Sequence, residues 1–211
     1  MTPKQQNYRN AAQTIIRNLQ KRHMEGYYCE TSSEAVEKVL ALIPNGSSIG
    51  WGGSQTLAET GLLEAIKNGN YTILDRFATD DPLARQDIYT QIFNSDFYLM
   101  STNAITMDGE LVNIDGTGNR VASLCFGPKN VIIVAGMNKV TSDLECGIKR
   151  AHNVTAPANN VRFNRNTPCA TTGRCSNCTA AECICSQVVI TRFSGMPGRI
   201  KVVLVGENLG W

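Results

Sequence analysis

Residues 129–134 read KNVIIV and run into Ala135 and Gly136. Four consecutive β-branched residues, with no polar residue interleaved, describe a strand buried on both faces. That is the signature of a parallel sheet covered by helices, and the rest of the chain can be read outward from it. Upstream, FYLMS at 97–101 is a second short, apolar, bounded run of the same kind. YTIL at 71–74 and the strand tip at 47–50 precede it. Downstream, 188–191 and IKVVLV at 200–205 complete the set, with a turn at Gly195-Met196-Pro197-Gly198 between them.

Helical patterns lie between these runs. Tyr8, Ala11, Ala12, Ile15, Ile16, Leu19 and His23 recur at helical spacing over 4–25, with His23 on or beside the apolar face as a structural residue. TSSE at 31–34 is a capping box that opens a helix ended by Pro44-Asn45-Gly46. A helix carrying Leu57, Ala58, Gly61, Leu62, Ala65 and Ile66 follows the glycines at 50–53. Asp81-Pro82 starts another, reaching about Phe93. Further helices are predicted from Gly118 to about Leu124 and, from a capping box at 142–145, to about Ala151. Strands alternating with helices predict an α/β fold with a mostly parallel sheet flanked by helices. After His152 the periodicity stops, and 152–187 reads as a loop held by something other than a core. The expected organisation is an N-terminal helical segment over 1–45 and an α/β domain over 46–211 with a cysteine-rich loop at 165–187.

The chain has 211 residues, 42% of them hydrophobic and 18% charged, with a formal net charge of +2. This composition suits one large soluble domain. Scattered Lys and Arg argue against nucleic-acid binding. There is no apolar run of about 18 residues, so no membrane span is expected. The polar N-terminus lacks a signal core, which points to the cytoplasm and to cysteines read as thiols.

The polar anomaly is TNAITMDGELVNIDGTGNR at 102–120, which begins where a buried strand ends. Open α/β sheets bind ligands at that edge. A hairpin turning at Asp108-Gly109 and a second turn at Asp115-Gly116 are expected within it. Asp108, Glu110 and Asp115 are the acid/base candidates, because carboxylates sharing a cleft push their pKa values apart. Asp108 and Asp115 are equally readable as ordinary Asp-Gly turn residues. Thr102, Asn103, Gly116, Gly118, Asn119, Arg120 and Lys139 are candidate ligand contacts, with Arg120 suited to bidentate binding of a carboxylate or phosphate. The plainer role for Arg120 is a surface ion pair at a helix start. Facing this stretch, Gly50, Gly52, Gly53 and Ser54 follow a strand and precede a helix, an arrangement that presents free backbone N–H groups to an anion. A tight βα turn would also explain them. Trp51, set between glycines, would wall a pocket. The spacing matches neither a phosphate-loop nor a dinucleotide fingerprint, so no nucleotide cofactor is expected.

Of eight cysteines, Cys29, Cys125 and Cys146 are isolated and read as small buried residues. Cys169, Cys175, Cys178, Cys183 and Cys185 crowd into TPCATTGRCSNCTAAECICS at 167–186. Thiols this dense in a loop without apolar periodicity suggest a metal organiser, either zinc or an iron–sulfur cluster held by four of the five, with Cys185 as the spare. Unligated thiols in a flexible loop are the alternative.

The run TNAITMDGELVNIDGTGNRVASLCFGPKNVIIVAGMNKV at 102–140 resembles the core of the lactate-utilisation (LUD) domain family, the LutC/YkgG-like proteins. GWGGSQTLAETGLLEAI at 50–66 and IKVVLVGENLGW at 200–211 resemble the same family's glycine segment and last strand. The resemblance spans roughly 47–211, and the helical N-terminus and cysteine segment resemble a stand-alone subgroup. It implies the fold shared by ribose-5-phosphate isomerase and the CoA transferases, in a bacterial, cytoplasmic protein. It implies a small anionic metabolite as ligand, in hydroxy-acid (lactate-like) or sugar-phosphate metabolism, as an enzyme or enzyme subunit. Because some relatives belong to iron–sulfur systems, it tips the metal toward iron–sulfur and suggests a homo-oligomer or an iron–sulfur partner subunit. The competing class is a non-catalytic iron–sulfur or zinc protein serving as electron relay or redox sensor.

Overall fold

A computed structural model covers residues 1–211. The first half of the chain runs α1 (Pro3–Lys21), β1 (Glu25–Cys29), α2 (Ser32–Leu42), β2 (Ser48–Trp51), α3 (Gln55–Glu59), α4 (Leu62–Lys67), β3 (Thr72–Leu74) and α5 (Pro82–Phe93). The second half runs β4 (Phe97–Met100), β5 (Ala104–Thr106), β6 (Leu111–Asp115), α6 (Asn119–Cys125), β7 (Asn130–Gly136), β8 (Val140–Thr141), α7 (Leu144–Arg150), α8 (Ala156–Arg162), α9 (Pro168–Thr172), β9 (Gln187–Thr191) and β10 (Ile200–Val205).

Six strands form one parallel sheet in the order β1-β10-β7-β4-β2-β3. β7, the run KNVIIV, lies at its centre. Val131, Ile133 and Ala135 enter one core with Ala12, Ile15 and Leu19 of α1 and Ile92 of α5. Ile132 and Val134 enter the opposite core with Val39 of α2, Leu57 of α3 and Leu62 of α4. Both faces of β7 are therefore dry, which is why its sequence carries no polar alternation. Each such Val or Ile contributes about 1.5–3 kcal/mol by leaving water.

A smaller mixed sheet stands beside the first, in the order β8-β5-β6-β9. β5 and β6 are the hairpin turning at Asp108-Gly109, where Gly109 takes φ +86°. β9 adds antiparallel to β6, and β8 parallel to β5. The sequence predicts the hairpin and the strand at 188–191, but not their joining into a second sheet, nor the two-residue β8.

Other boundaries also differ from expectation. The first helix ends at Lys21, and His23, at φ +58°, packs its ring 4.4 Å from Phe193. The N-terminal segment is not purely helical: EGYYC forms β1 at the edge of the main sheet, beside β10. Its tyrosines are half-buried, so no alternation marks the strand. The helix after the glycines is broken at Gly61, which takes φ +76° between α3 and α4. The chain beyond His152 is not a loop at first. A π-helical turn over Ala151–Thr155 carries α7 into α8, with Pro157 just past that turn. Cys29 is buried as expected, whereas Cys125 and Cys146 are exposed. Trp51, expected to wall a pocket, sits in the core: it is 3% exposed, with the Lys67 ammonium 5.4 Å from its ring.

Candidate functional site

The chain leaves β2 toward β3 on one side and takes up β4 on the other, so the strand order reverses between β2 and β4. Ligands of open α/β sheets occupy the crevice at such a switch point, beyond the carboxyl ends of the strands. A solvent-open cleft of about 270 Å³ lies there. One wall is Gly53 to Thr56, after β2. Ser101 to Asn103, after β4, and residues 114–120 form another. Lys139, from the 3₁₀ turn after β7, reaches in from below, and α8 and Trp211 close the far side.

The charge of this lining is one-sided. Arg76, Arg120, Lys139, Arg162 and Arg165 line the cleft, against the single carboxylate of Asp115. The backbone N–H groups of Gly53, Ser54, Gln55 and Thr56 have no acceptor within the protein. The Ser54 hydroxyl caps α3 by accepting from Leu57 N at 3.3 Å. Backbone donors without protein acceptors, and an excess of cations over carboxylates around a concave space, favour an anion.

Two charged residues of the lining serve the frame. Asp115 is a helix cap: Oδ1 accepts from Gly118 N at 3.3 Å, and Oδ2 accepts from Arg120 N and Val121 N, each at 3.1 Å. Arg120 is largely buried, its side chain 13% exposed, and burial lowers its pKa. Its guanidinium donates to Ser101 O (3.2 Å), Asn113 Oδ1 (2.6 Å), Asn103 Oδ1 (3.3 Å) and Ile114 O (2.6 Å), stitching β4, β6 and α6 together. Its charge acts on the cleft while most of its donors are committed elsewhere. Thr102 is also structural, donating to Ala104 O at 2.8 Å. Asn119 lines the cleft with its amide uncommitted to any protein partner.

Lys139 is 3% exposed and donates to Thr56 Oγ1 at 2.7 Å and Ser101 Oγ at 3.0 Å. It has no ion-pair partner. Burial, followed by the charges of Arg150 and Arg120, pulls its pKa down to about 7, with Glu59 opposing weakly. It is the lining group poised to gain or lose a proton near neutral pH.

The structure brings Gly53, Ser54, Thr102, Asn103, Asp115, Gly116, Asn119, Arg120 and Lys139 to this one cleft. It sets the other five apart. Asp108 is exposed at the hairpin tip, where its carbonyl accepts from Arg22 Nε, and Glu110 pairs with Arg22 at 3.2 Å. The hairpin folds back onto α1, carrying both carboxylates away from the sheet edge. Gly50 lies inside β2, where a Cβ would strike Ile92 at 2.6 Å. Gly52 lies behind the wall, where a Cβ would meet Tyr98 Oη at 2.8 Å and Arg120 Cδ at 3.1 Å. Gly118, at φ +89°, starts α6. Sequence reading missed Arg76, Arg162, Arg165, Thr56, Ser101 and Trp211. Only the position of Ser101 at a strand end hinted at any of them.

Cys169, Cys175, Cys178, Cys183 and Cys185 line a second cavity of about 50 Å³ together with His152. The Cys175 thiol is 3.7 Å from His152 Nδ1. Burial and the neighbouring Cys183, Cys175 and Cys169 push the Cys185 thiol up to about 12. As arranged, no three His, Cys, Asp or Glu side chains converge on a point that could hold a single ion. No helix is long and apolar enough to cross a membrane.

Comparison with known proteins places this architecture. A DUF162 family protein from Deinococcus radiodurans superposes with a TM-score of 0.54 at 13% identity, covering 94% of this chain and 98% of that one. A lower likeness, TM-score 0.34 at 12% identity, is to ribose 5-phosphate isomerase A from Methanocaldococcus jannaschii, over 54% of this chain and 55% of that one. Comparison with curated proteins finds no match. The family model described as the LUD domain matches residues 12–205, and so takes in the second half of α1 and the whole of both sheets. The chain belongs to the LUD domain family.

Proposed function

We propose that the cleft binds a small anionic metabolite, a hydroxy acid or a sugar phosphate, and that the protein is an enzyme or enzyme subunit acting on it. The observation that carries this reading is the one-sided lining: five cationic side chains, one carboxylate already used as a helix cap, and four backbone N–H groups without acceptors. Arg76, Arg162 and Arg165 are the side chains for the anionic group, and the Gly53–Thr56 amides approach it from the opposite wall. Lys139 is the proton-transfer residue. A neutral amine is available near pH 7 because burial removes the ammonium's hydration. Asp115 and Arg120 hold the geometry. Asp108 and Glu110, first candidates on sequence grounds, take no part.

The alternative, a non-catalytic iron–sulfur or zinc protein acting as electron relay or redox sensor, is favoured by the five thiols around the second cavity. It leaves the cationic cleft without a role, and so ranks second.

Thermal-shift titration of the full chain with sugar phosphates, hydroxy acids and CoA esters tests the proposal. A saturable rise in Tm with one class, lost in Arg162→Ala, is the expected result. No shift with any of the three classes would overturn it.

A further inference from the structure

The cysteine cavity lies directly behind the anion cleft. Ala156 lines both spaces, and Ile184, between Cys183 and Cys185, lines the cleft. The backbone of Ile184 is seated on Gly116: a Cβ there would meet Ile184 Cα and O at 3.3 Å each. Whatever fixes the cysteine segment therefore also fixes one wall of the cleft.

The five sulfurs are not equivalent. Cys169 Sγ is buried and accepts from Asn160 Nδ2 at 3.5 Å. Cys175 Sγ accepts from Asn177 N, and Cys183 Sγ from Cys185 N, each at 3.4 Å. N–H donors aimed at sulfur stabilise thiolates that ligate iron. Cys178 completes a Cys-x2-Cys pair with Cys175. Cys185 instead packs against the apolar cluster of Ala104, Val112, Ile114 and Ala151. The thiols surround a cavity of about 50 Å³ instead of meeting at one point, as ligands of separate irons in a cluster would.

We propose that Cys169, Cys175, Cys178 and Cys183 ligate an iron–sulfur cluster, with Cys185 a packing residue, and that this cluster anchors the wall of the cleft through Ile184 and Gly116. Asn160 and His152 are positioning residues beside the ligands.

The full chain, purified anaerobically and reconstituted with ferrous iron and sulfide, tests this. Iron, acid-labile sulfide and zinc are assayed first, with no anion present, so the result does not depend on the cleft binding anything. The expected outcome is iron and sulfide bound together with broad visible absorption. Serine at position 169, 175, 178 or 183 abolishes that absorption, while Cys185→Ser keeps it and Asn160→Leu weakens cluster retention about tenfold. Circular dichroism identifies any variant that fails to fold, and a cysteine variant that folds but binds no iron still supports the assignment. Zinc without sulfide, no metal at all, or loss of the cluster in folded Cys185→Ser overturns it. The link to the cleft rests on the proposed anion site and is read separately, as tighter binding of inorganic phosphate by loaded than by stripped protein. Equal affinities would refute the link alone.

Discussion

The Lys139 ammonium donates to the Thr56 hydroxyl at 2.7 Å, across 83 positions of sequence, and this bond joins the turn after β7 to the helix after the glycines. With Ser101 on its other side, the amine is surrounded by hydroxyls and by the charges of Arg120 and Arg150. That setting has a thermodynamic consequence. The folded pKa, about 7, lies below the ordinary lysine value of 10.5, so the unfolded chain holds the proton more tightly. Between those two pH values stability rises with pH. Below about 7 both states are protonated, and the full penalty of the buried charge is felt. Lys139→Met should flatten this slope in urea melts recorded from pH 6 to pH 10, and should abolish turnover of whichever ligand the thermal-shift screen identifies.

Arg76, Arg162 and Arg165 reach the cleft without an ion-pair partner. Truncating Arg162 or Arg165 to alanine should weaken anion binding by about 1.5–3 kcal/mol, the ordinary worth of a charge-assisted hydrogen bond. Calorimetric titration measures it. Asp108→Asn and Glu110→Gln serve as controls that leave affinity unchanged, because both side chains lie on the hairpin facing α1.

Gly52→Ala should act through a side chain it does not resemble. The new Cβ would fall 2.8 Å from Tyr98 Oη and 3.1 Å from Arg120 Cδ. Arg120 must shift, and its bonds to Asn113, Asn103 and Ile114 shift with it. The expected outcome is a stability loss of about 1–3 kcal/mol by denaturant melting, in the range for overpacking, together with weaker anion binding.

Arg199 is a structural cation that sequence reading passed over. It is 6% exposed and donates to Pro128 O (3.0 Å), Leu124 O (2.6 Å) and Ser123 O (2.8 Å), fixing the end of α6 to the start of β7. Arg199→Met should destabilise the protein by roughly 2–4 kcal/mol, because buried carbonyls lose their donors. It should leave the cleft's ligand preference intact.

Asp96 accepts from the Lys129 ammonium at 2.7 Å, from Ser48 N at 2.9 Å and from Ser48 Oγ at 2.7 Å, and these bonds hold its pKa far below the ordinary carboxylate range, the Lys129 bond most. Its contribution to stability is present above about pH 4 and is lost as pH falls through the depressed value. Acid melts of Asp96→Asn should show a shallower decline than those of the parent protein.

The sequence by itself determined the layered α/β architecture. KNVIIV at 129–134, FYLM at 97–100 and IKVVLV at 200–205 can be satisfied only by a sheet covered on both faces, and the capping residues Thr31 and Asp81 set helix starts. It also marked the polar segment at 102–120 and the crowded cysteines, since composition records a departure from core-building wherever it falls. It could not mark β1, whose half-buried residues leave no period, nor the pairing of β9 with β6 in a second sheet, nor the continuation of α7 through a π turn. The partners of the cleft were equally out of reach. Arg76, the Arg162–Arg165 stretch at the end of α8, and Trp211 come from three separate segments and have no motif in common, so only packing brings them together. The polar stretch at 102–120 was split by the same packing. Its hairpin tip, with Asp108 and Glu110, folds onto α1, while Asp115 to Arg120 turns under the sheet edge. A local sequence fixes that a turn occurs there; the direction in which it carries a carboxylate depends on what the rest of the chain puts beside it.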